Sequence, residues 1–390
     1  MSLLDTASLI VTPNGYKEGK LYSVIPSDGS GDMSVVRATT ATRVNSAGLV
    51  ELVPYNLYSK SNDFSTWGYI VNVTVTPNYT TSPDGTQNAS RFQALAYGYI
   101  FNLGTTATVG EPITISVYAK RNDSGTQSVG FFQDDSAIEY AFSLTNEWQR
   151  FEYTTNFLND YIGIAANSGA DISIYGFQIV QGSTAKPYQK TETRLNIPRL
   201  DYSNGTCPSL LVEPQRTNLL TYSSSFDNAD WTKLNATISA NTITSPSGIQ
   251  DADLLTENTA NTGHVIYRSG TGTSNTFSFY AKPNGRNWLA VLSNNGDYTF
   301  FNIANGTLGT IAATSTATIE DAGNGWYRCT VYNTHPTFGA SIYLSTGNGI
   351  TDYLGNGTSG VYIWGAQLEA GSYPTSYIPT TSASVTRNAD

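Results

Sequence analysis

The sequence predicts an all-β protein made of two tandem, homologous antiparallel β-sandwiches of jelly-roll type, together with a small N-terminal segment. Three observations lead to this prediction. The chain of 390 residues contains 13% charged and 12% aromatic residues, a balance typical of turn-rich β proteins. Its apolar residues alternate with polar ones over short runs. Its two halves also resemble each other in sequence.

The internal repeat consists of five blocks that recur in the same order. In the first block Asn56 aligns with Asn218, and Trp67 aligns with Trp231. The later blocks are TSPDGTQNASRF with TSPSGIQDADLL, ITISVYAKRND with NTFSFYAKPNG, NEWQRFEY with NGWYRCTV, and ISIYGFQIVQG with VYIWGAQLEAG. Blocks kept in one order indicate two modules of common origin. We place the modules at 56–191 and 218–390.

Each module is predicted to consist of strands. Runs such as ITISVYAK and TFSFYAK alternate apolar with polar residues, and clusters of Gly, Asn, Asp or Pro separate such runs. Short strands with regular turn signals favour an antiparallel two-sheet sandwich. The remaining segments, 1–55 and a connector at 192–217, are too short for a core of their own. We expect them to pack on the modules or on neighbouring subunits.

Charge, cysteine and histidine content argue against several classes of partner. The formal net charge of −10 disfavours nucleic acid and membrane, since phosphate backbones and anionic lipids require clustered Lys and Arg. The sequence has neither a long apolar run nor a signal-peptide pattern, so we expect assembly in the cytoplasm of a host bacterium. We interpret Cys207 and Cys329 as packed thiols. His264 and His335 are too few for a histidine-rich metal site.

The tryptophans fall into two groups. Those with a partner in the other repeat are assigned to the cores, and they are Trp67, Trp148, Trp231, Trp326 and Trp364. Trp288 has no counterpart in the first module. With Asn287, Asp297 and Tyr298 nearby in sequence, it forms a predicted glycan-binding platform, because a sugar ring needs an aromatic face and planar hydrogen-bonding groups. The alternative is that Trp288 is a second-layer core residue.

Carboxylates are the remaining candidates for chemistry. A glycosidase needs two of them across a cleft, and no motif marks such a pair here, so we predict no catalytic residue and no enzyme. Asp227, Asp251 and Asp253 could supply oxygen ligands to a weak structural Ca²⁺. The first module has Asn88 and Ser90 in place of Asp251 and Asp253. The alternative is that these acids are solvated loop residues, and no other cofactor is predicted.

Three stretches of the sequence resemble known proteins. WGAQLEAGSYPTSYIPTT, followed by TRNAD, is similar to the closing signature of carbohydrate-binding-like sandwich modules in virion proteins of tailed bacteriophages. SLLVEPQRTNLLTYSSSFDNADW resembles the opening signature of the same modules. The N-terminal residues resemble a segment shared by fibre and appendage proteins of phages that infect Bacteroidetes, including crAss-like phages. In such relatives this segment runs almost directly into the connector, which implies that 1–55 and 192–217 form one unit split by an inserted first module.

The resemblance implies a structural role in the virion and supplies no catalytic residue. We predict a capsid head-fibre subunit that docks on other virion proteins through its N-terminal segment. We expect it to form a homo-oligomer, with a trimer as the expected state, and to present its sandwiches for weak multivalent adhesion to host or mucosal glycans. The alternatives are a tail-located receptor-binding protein and a capsule depolymerase, although no β-helix repeat is visible.

Overall fold

The fold is all-β, as the sequence predicts. A computed structural model describes residues 7–105, 107–269, 275–294, 296–336 and 338–390, with the backbone alone at 12–15. Within these ranges the one helical element is a 3₁₀ turn at Phe64–Thr66. No helix in this part of the chain has the length and hydropathy of a membrane span.

The strands pair antiparallel. In chain order, the strands before residue 190 are β1 (Ile10–Lys17), β2 (Lys20–Ile25), β3 (Met33–Ser34), β4 (Thr42–Val44), β5 (Val50–Leu52), β6 (Tyr69–Thr80), β7 (Ala89–Phe101), β8 (Pro112–Arg121), β9 (Val129–Gln133), β10 (Tyr140–Ala141), β11 (Gln149–Asn156), β12 (Ile162–Ala166) and β13 (Asp171–Gln181). The later strands are β14 (Leu200–Asp201), β15 (Ser209–Leu210), β16 (Arg216–Asn218), β17 (Thr232–Leu234), β18 (Ala236–Ile243), β19 (Ala252–Glu257), β20 (Asn261–Gly263), β21 (Val265–Arg268), β22 (Asn275–Asn284), β23 (Trp288–Asn294), β24 (Asp297–Asn302), β25 (Thr307–Leu308), β26 (Ser315–Asp321), β27 (Tyr327–Asn333), β28 (Ala340–Ser345), β29 (Asp352–Leu354), β30 (Gly360–Ala370) and β31 (Val385–Arg387).

The chain divides into two compact units, each built around one sandwich. The first unit contains the residues up to Val35 together with Pro54–Ile197. The second contains Val36–Val53 together with Pro198–Asp390. Each unit has its own core of buried apolar residues.

The N-terminal segment expected at 1–55 and the connector expected at 192–217 are both divided between these units. In each unit a part of the N-terminal segment contacts a part of the connector, and the two segments do not make up a third compact unit. In the first unit the amide of Gly19 donates to the carbonyl of Asn196 at 2.8 Å. In the second unit β4 pairs with β5 and lies against β14. The strands of these portions form small sheets of their own, β1-β2-β3, β4-β5 and β14-β15, beside the sheets of the sandwiches.

In the first unit a long ribbon of β6 and β7 passes through both layers of the sandwich. The N-terminal half of β7 pairs with β13, and its C-terminal half pairs with β12. The sheet with the strand order β10-β9-β12-β7-β13-β8-β11 therefore bends at β7. Strands β10, β9 and β12 lie on one side of the bend, and β13, β8 and β11 lie on the other. Side chains from both halves meet in one core, among them Phe131 of β9, Ile164 of β12 and Ile174 of β13.

The second unit contains two separate six-stranded sheets. Their strand orders are β17-β21-β28-β23-β24-β25 and β18-β19-β30-β22-β27-β26. Leu289 and Ile342 from the first sheet meet Phe277 and Val331 from the second in the core. This is the two-sheet sandwich that the alternating sequence pattern predicts.

A glycine bulge interrupts the last long strand of both modules at the same place in the repeat. Gly176 in β13 and Gly365 in β30 have φ angles of +66° and +62°, which favour glycine because a Cβ is strained there. The pairing with the neighbouring strand shifts at both positions. A Cβ on Gly365 would also lie 3.1 Å from the Tyr280 ring. The recurring glycine in the closing motif is therefore a backbone requirement.

The backbone groups around each bulge are bound by the asparagine that opens the module. Asn56 and Asn218 are both fully buried. Asn218 donates to the carbonyls of Ala366 and Ile378 and accepts from the amides of Leu220 and Leu368. Asn56 donates to the carbonyl of Phe177 and accepts from the amides of Tyr58 and Ile179. The opening and closing motifs recur because together they close the sandwich.

The aromatic residues of the opening motif also superpose in their local geometry. Phe64 and Trp67 have ring centroids 4.9 Å apart at 45°, and the values for Phe226 and Trp231 are 4.9 Å and 46°. Of the other tryptophans assigned to the cores, Trp326 and Trp364 are buried. Trp148 is only half-buried and lies beneath the Lys120 ammonium at 5.2 Å, so it is not a core residue.

Candidate functional site

The candidate site lies on the outer face of the first sandwich, where β7, β12 and β9 run side by side. Successive side chains of a strand point to opposite faces. Ile100 of β7 is in the core, so Tyr99 and Phe101 on either side of it point outward. Gly163 of β12 pairs with both Phe101 and Phe132. The two outward phenylalanine rings therefore meet across a position that has no side chain.

Aromatic rings line an open pocket of about 310 Å³ on this face. Phe101 and Phe132 form its floor with their rings edge to face at 6.0 Å, and they are only 3% and 1% exposed. Tyr69 stacks flat against Phe101 with centroids 4.4 Å apart, and Tyr161 approaches the same ring at 5.1 Å. Tyr69 and Tyr161 are 43% and 46% exposed. Both therefore present ring surface to solvent at the mouth of the pocket.

A short polar loop forms one rim of the pocket at Asp134, Asp135 and Ser136. Asp134 and Ser136 have φ angles of +76° and +63°, a conformation that non-glycine residues seldom adopt. Hydrogen bonds hold the loop in place: the amide of Asp134 donates to the carbonyl of Tyr161 at 2.9 Å, and the Tyr97 hydroxyl donates to the carbonyl of Ser136 at 2.7 Å. The rim is thus tied to the strands and loops that carry the rings.

This arrangement has the chemistry of a binding pocket for a small ring with one apolar face. The C–H groups of such a ring would pack against the exposed faces of Tyr69 and Tyr161, because Phe101 and Phe132 beneath them are only 3% and 1% exposed. Its polar substituents reach the carboxylates of Asp134 and Asp135, which accept hydrogen bonds. These two acids are consecutive residues of one loop. Cleavage of a glycosidic bond instead uses two carboxyl groups on opposite sides of the bond.

The sequence analysis did not select the aromatic residues of the pocket. A local signal existed in the stretch YGYIF, which ends at Phe101 and places Tyr99 and Phe101 on one face and Ile100 on the other. Two of the remaining aromatic residues, Tyr69 and Tyr161, come from distant parts of the module. Only the strand order brings them to the same face.

The platform predicted in the second module does not assemble as one site. Trp288 begins β23, whereas Asp297 begins β24 and pairs with Asn294 at the other end of the hairpin. Six residues of strand separate these ends, which corresponds to about 20 Å. Asn287 precedes Trp288 and is exposed. Tyr298 follows Asp297 at the start of β24. The prediction assumed that residues close in sequence would also be close in space. The extended hairpin instead separates Asn287 and Trp288 from Asp297 and Tyr298.

Trp288 and Asp297 each have a local role in the structure. Trp288 is half-buried and packs against the backbone of the next segment, since a Cβ on Gly309 would lie 2.7 Å from its ring. Asp297 accepts a hydrogen bond from the amide of Ala313 at 3.0 Å. Trp288 therefore agrees better with the alternative of a packing residue.

Tyr298 contacts Tyr343, a residue that lines a second pocket, on the second module. Its ring meets that of Tyr343 edge to face at 5.1 Å. Burial, followed by the proximity of the Tyr298 hydroxyl, raises the pKa of Tyr343. Tyr343 lines a pocket of about 380 Å³, together with Tyr267 and Leu292. This pocket has fewer aromatic walls than the pocket of the first module.

The carboxylates predicted as calcium ligands have different environments. Asp253 is buried and accepts hydrogen bonds from the amides of Phe226 and Asn241 at 2.8 and 2.9 Å. Asp227 is exposed, and Asp251 is half-buried. Among the residues that the structure describes, no three His, Cys, Asp or Glu side chains come together. The calcium site stays a prediction, while Asp253 has a clear structural role as a backbone anchor.

Burial raises the pKa of Asp253 to about 6, even though two backbone amides stabilise its charged form. A carboxyl group whose pKa is higher in the folded than in the unfolded chain binds its proton more tightly when folded. Its contribution to stability is therefore full below about pH 4 and is lost as the pH rises through about 6. A shift of this size corresponds to about 3 kcal/mol.

No family model and no curated protein matches the sequence. Among solved structures, the chain is similar to the CBM22-1–CBM22-2 tandem domain of Xyn10C from Paenibacillus barcinonensis, at 12% identity and a TM-score of 0.28, over 86% of this chain and 99% of that chain. It is also similar to the CBM22-1–GH10 modules of Xyn10B from Clostridium thermocellum, at 16% identity and a TM-score of 0.22, over 39% of this chain and 30% of that one. A third similarity is to the M60 catalytic domain of Clostridium perfringens ZmpB with its CBM51-1 and CBM51-2 domains, at 9% identity and a TM-score of 0.24. It covers 100% of this chain and 44% of that chain. The assignment of the sandwich fold rests on the strand pairing described above.

Proposed function

We propose that the protein is a non-catalytic glycan-binding protein whose first sandwich holds a sugar ring in the pocket between Tyr69 and Tyr161. The observation that carries this proposal is the combination of a buried aromatic floor, two half-exposed tyrosines and a rim of carboxylates. Ligand sites typically combine apolar walls with a few polar groups that orient the ligand. A pyranose offers the matching surfaces, with C–H groups on one face and hydroxyls at its edge.

The size of the pocket indicates a short ligand. At about 310 Å³ it is at the lower end of the range of about 300–1,000 Å³ for small-molecule sites. We therefore expect one or two sugar units at the end of a glycan to enter it. Such a small contact implies weak binding by a single copy, so adhesion would depend on several copies acting together.

The non-catalytic part of the proposal follows from the position of the acids. Asp134 and Asp135 are neighbours on one loop, so both lie at the same side of a bound ring. A hydrolase requires an acid and a base or nucleophile on opposing sides of the scissile bond. We expect host polysaccharide incubated with the protein to release no reducing ends. Release that is lost in Asp134→Asn would contradict a purely binding role.

The binding test compares two tyrosines of one strand. Tyr69 and Tyr79 both belong to β6 and are 43% and 41% exposed, but only Tyr69 lines the pocket. On an array of glycans probed with multimerised protein, we expect Tyr69→Ala and Tyr161→Ala to weaken binding about tenfold, equivalent to about 1.4 kcal/mol. Tyr79→Ala should bind like the unaltered protein. Absence of any glycan binding at high valency, or equal losses for Tyr69→Ala and Tyr79→Ala, would overturn the proposal.

We further propose that the protein serves as a subunit of a phage head fibre and docks on the particle through its N-terminal residues. The support is the resemblance of the opening, closing and N-terminal stretches to phage virion proteins. A deletion that tests docking should end at Val35, since Arg37 and Val53 are buried in the second unit. We expect the truncated protein to be folded but absent from particles. Its continued incorporation would refute docking, labelled particles would distinguish head from tail, and native mass spectrometry would test the trimer.

A further inference from the structure

We infer that the pocket of the first sandwich selects sugars that carry a free, positively charged amino group over neutral and acidic sugars. This inference rests on the proposed glycan-binding function and adds the chemical class of the ligand. Three features of the described residues carry it. Two carboxylates form no ion pair, no lysine or arginine lies over the aromatic rings of the pocket, and none lines the pocket.

The two rim carboxylates, Asp134 and Asp135, can each accept further hydrogen bonds from a cationic ligand. Both Asp134 and Asp135 are exposed, and neither forms an ion pair with a described residue. One oxygen of Asp134 accepts from the Asn159 side chain, and one oxygen of Asp135 accepts from the amide of Ala137 at 2.9 Å. Within the described residues, the second oxygen of each carboxylate has no hydrogen-bond donor. These oxygens are therefore available to an ammonium group, which supplies three donors.

Among the described residues, no lysine or arginine lies over the aromatic rings of the pocket. Some other partly exposed rings of the first unit do carry a cation, as Arg91 lies over Tyr79 at 4.9 Å and Lys120 lies over Trp148 at 5.2 Å, while Tyr97 and Tyr140 do not. No lysine or arginine is among the residues that line the pocket in the described part of the chain. Cations are attracted to aromatic faces, so the rings of the pocket can receive the cation of a ligand.

The same pocket disfavours a sugar that carries a carboxylate. Its carboxylate would enter beside Asp134 and Asp135 with no basic residue to pair with it. Like charges brought together at an interface reject the wrong partner. The same groups that hold an amino sugar thus exclude a uronic acid.

The experiment measures binding of four monosaccharide probes to the full chain: glucosamine, N-acetylglucosamine, glucose and glucuronate. Isothermal titration or ligand-observed NMR at low salt should show glucosamine binding about tenfold tighter than glucose or N-acetylglucosamine, and glucuronate binding weakest. The preference should shrink in about 0.5 M NaCl, because salt screens exposed charges. Equal binding of glucosamine and glucuronate would overturn the inference.

Variants separate this inference from the proposed function. Asp134→Asn with Asp135→Asn keeps the shape and the acceptor oxygens, and asparagine tolerates the positive φ of position 134. We expect this double variant to lose the preference for glucosamine while it still binds glucose. Glu152→Gln removes an exposed charge on β11, outside the pocket, and should keep the preference. If no probe binds at all, the proposed function fails, whereas binding without charge preference refutes only the inference.

Discussion

The buried asparagine at the start of the second module offers the most direct test of how the repeated motifs work. Asn218 is fully buried, and its side chain makes four hydrogen bonds to backbone groups around the bulge at Gly365. The Asn218→Ala variant removes all four bonds. Two amides and two carbonyls then remain in the interior without the partner that the sequence motif supplies.

The expected loss in the free energy of unfolding follows from the number of these hydrogen bonds. A buried polar group left unpaired costs about 1–3 kcal/mol, so four such groups give a loss of at least about 4 kcal/mol in the free energy of unfolding. This is a large share of the about 5–15 kcal/mol that stabilises an ordinary domain. Asn56 makes three bonds of this kind in the first module. Asn56→Ala should therefore cost at least about 3 kcal/mol, and only in the first unit.

Urea denaturation followed by tryptophan fluorescence measures these losses. The transitions of the two units are fitted separately, because a chain with two cores need not unfold in one step. Asn261→Ala, which alters an exposed asparagine on β20, is the control and should leave the second transition within about 0.5 kcal/mol. A loss below about 1 kcal/mol for Asn218→Ala would refute the reasoning, since the freed groups would then have found other partners.

Three further predictions follow from the second unit and its thiols. The second unit should be more stable at pH 5 than at pH 7, because burial raises the pKa of Asp253 to about 6; Asp253→Ser should remove this difference in a thermal melt, and an unchanged pH slope would contradict it. Gly365→Ala should cost more stability than Gly349→Ala in the same melt, because both glycines have positive φ but only Gly365 has a ring within 3.1 Å; equal losses would show that the contact is harmless. A thiol reagent should modify the exposed Cys207 and spare Cys329, which is buried and whose pKa burial raises; mass spectrometry that finds two labels on the folded chain would refute this.

The cores were predictable from the sequence because side-chain direction in a strand has a period of two. The alternation in ITISVYAK places Ile113, Ile115 and Val117 on one face, and these residues are buried. The repeat likewise identified Trp67 and Trp231 as packing residues, since two sandwiches of one origin fill the same interior positions. These are local properties, and they do not depend on which strands become neighbours.

The candidate site depended on the order of the strands in the sheet. Trp288 and Asp297 are nine positions apart in sequence, yet they are at opposite ends of a hairpin. Tyr69, Phe132 and Tyr161 are far apart in sequence, yet they line one pocket. The sequence by itself determined the β class, the duplication and the faces that turn inward. The tertiary structure decided which outward residues meet, because contacts across a sheet depend on register and strand order, and neither is encoded in a single strand.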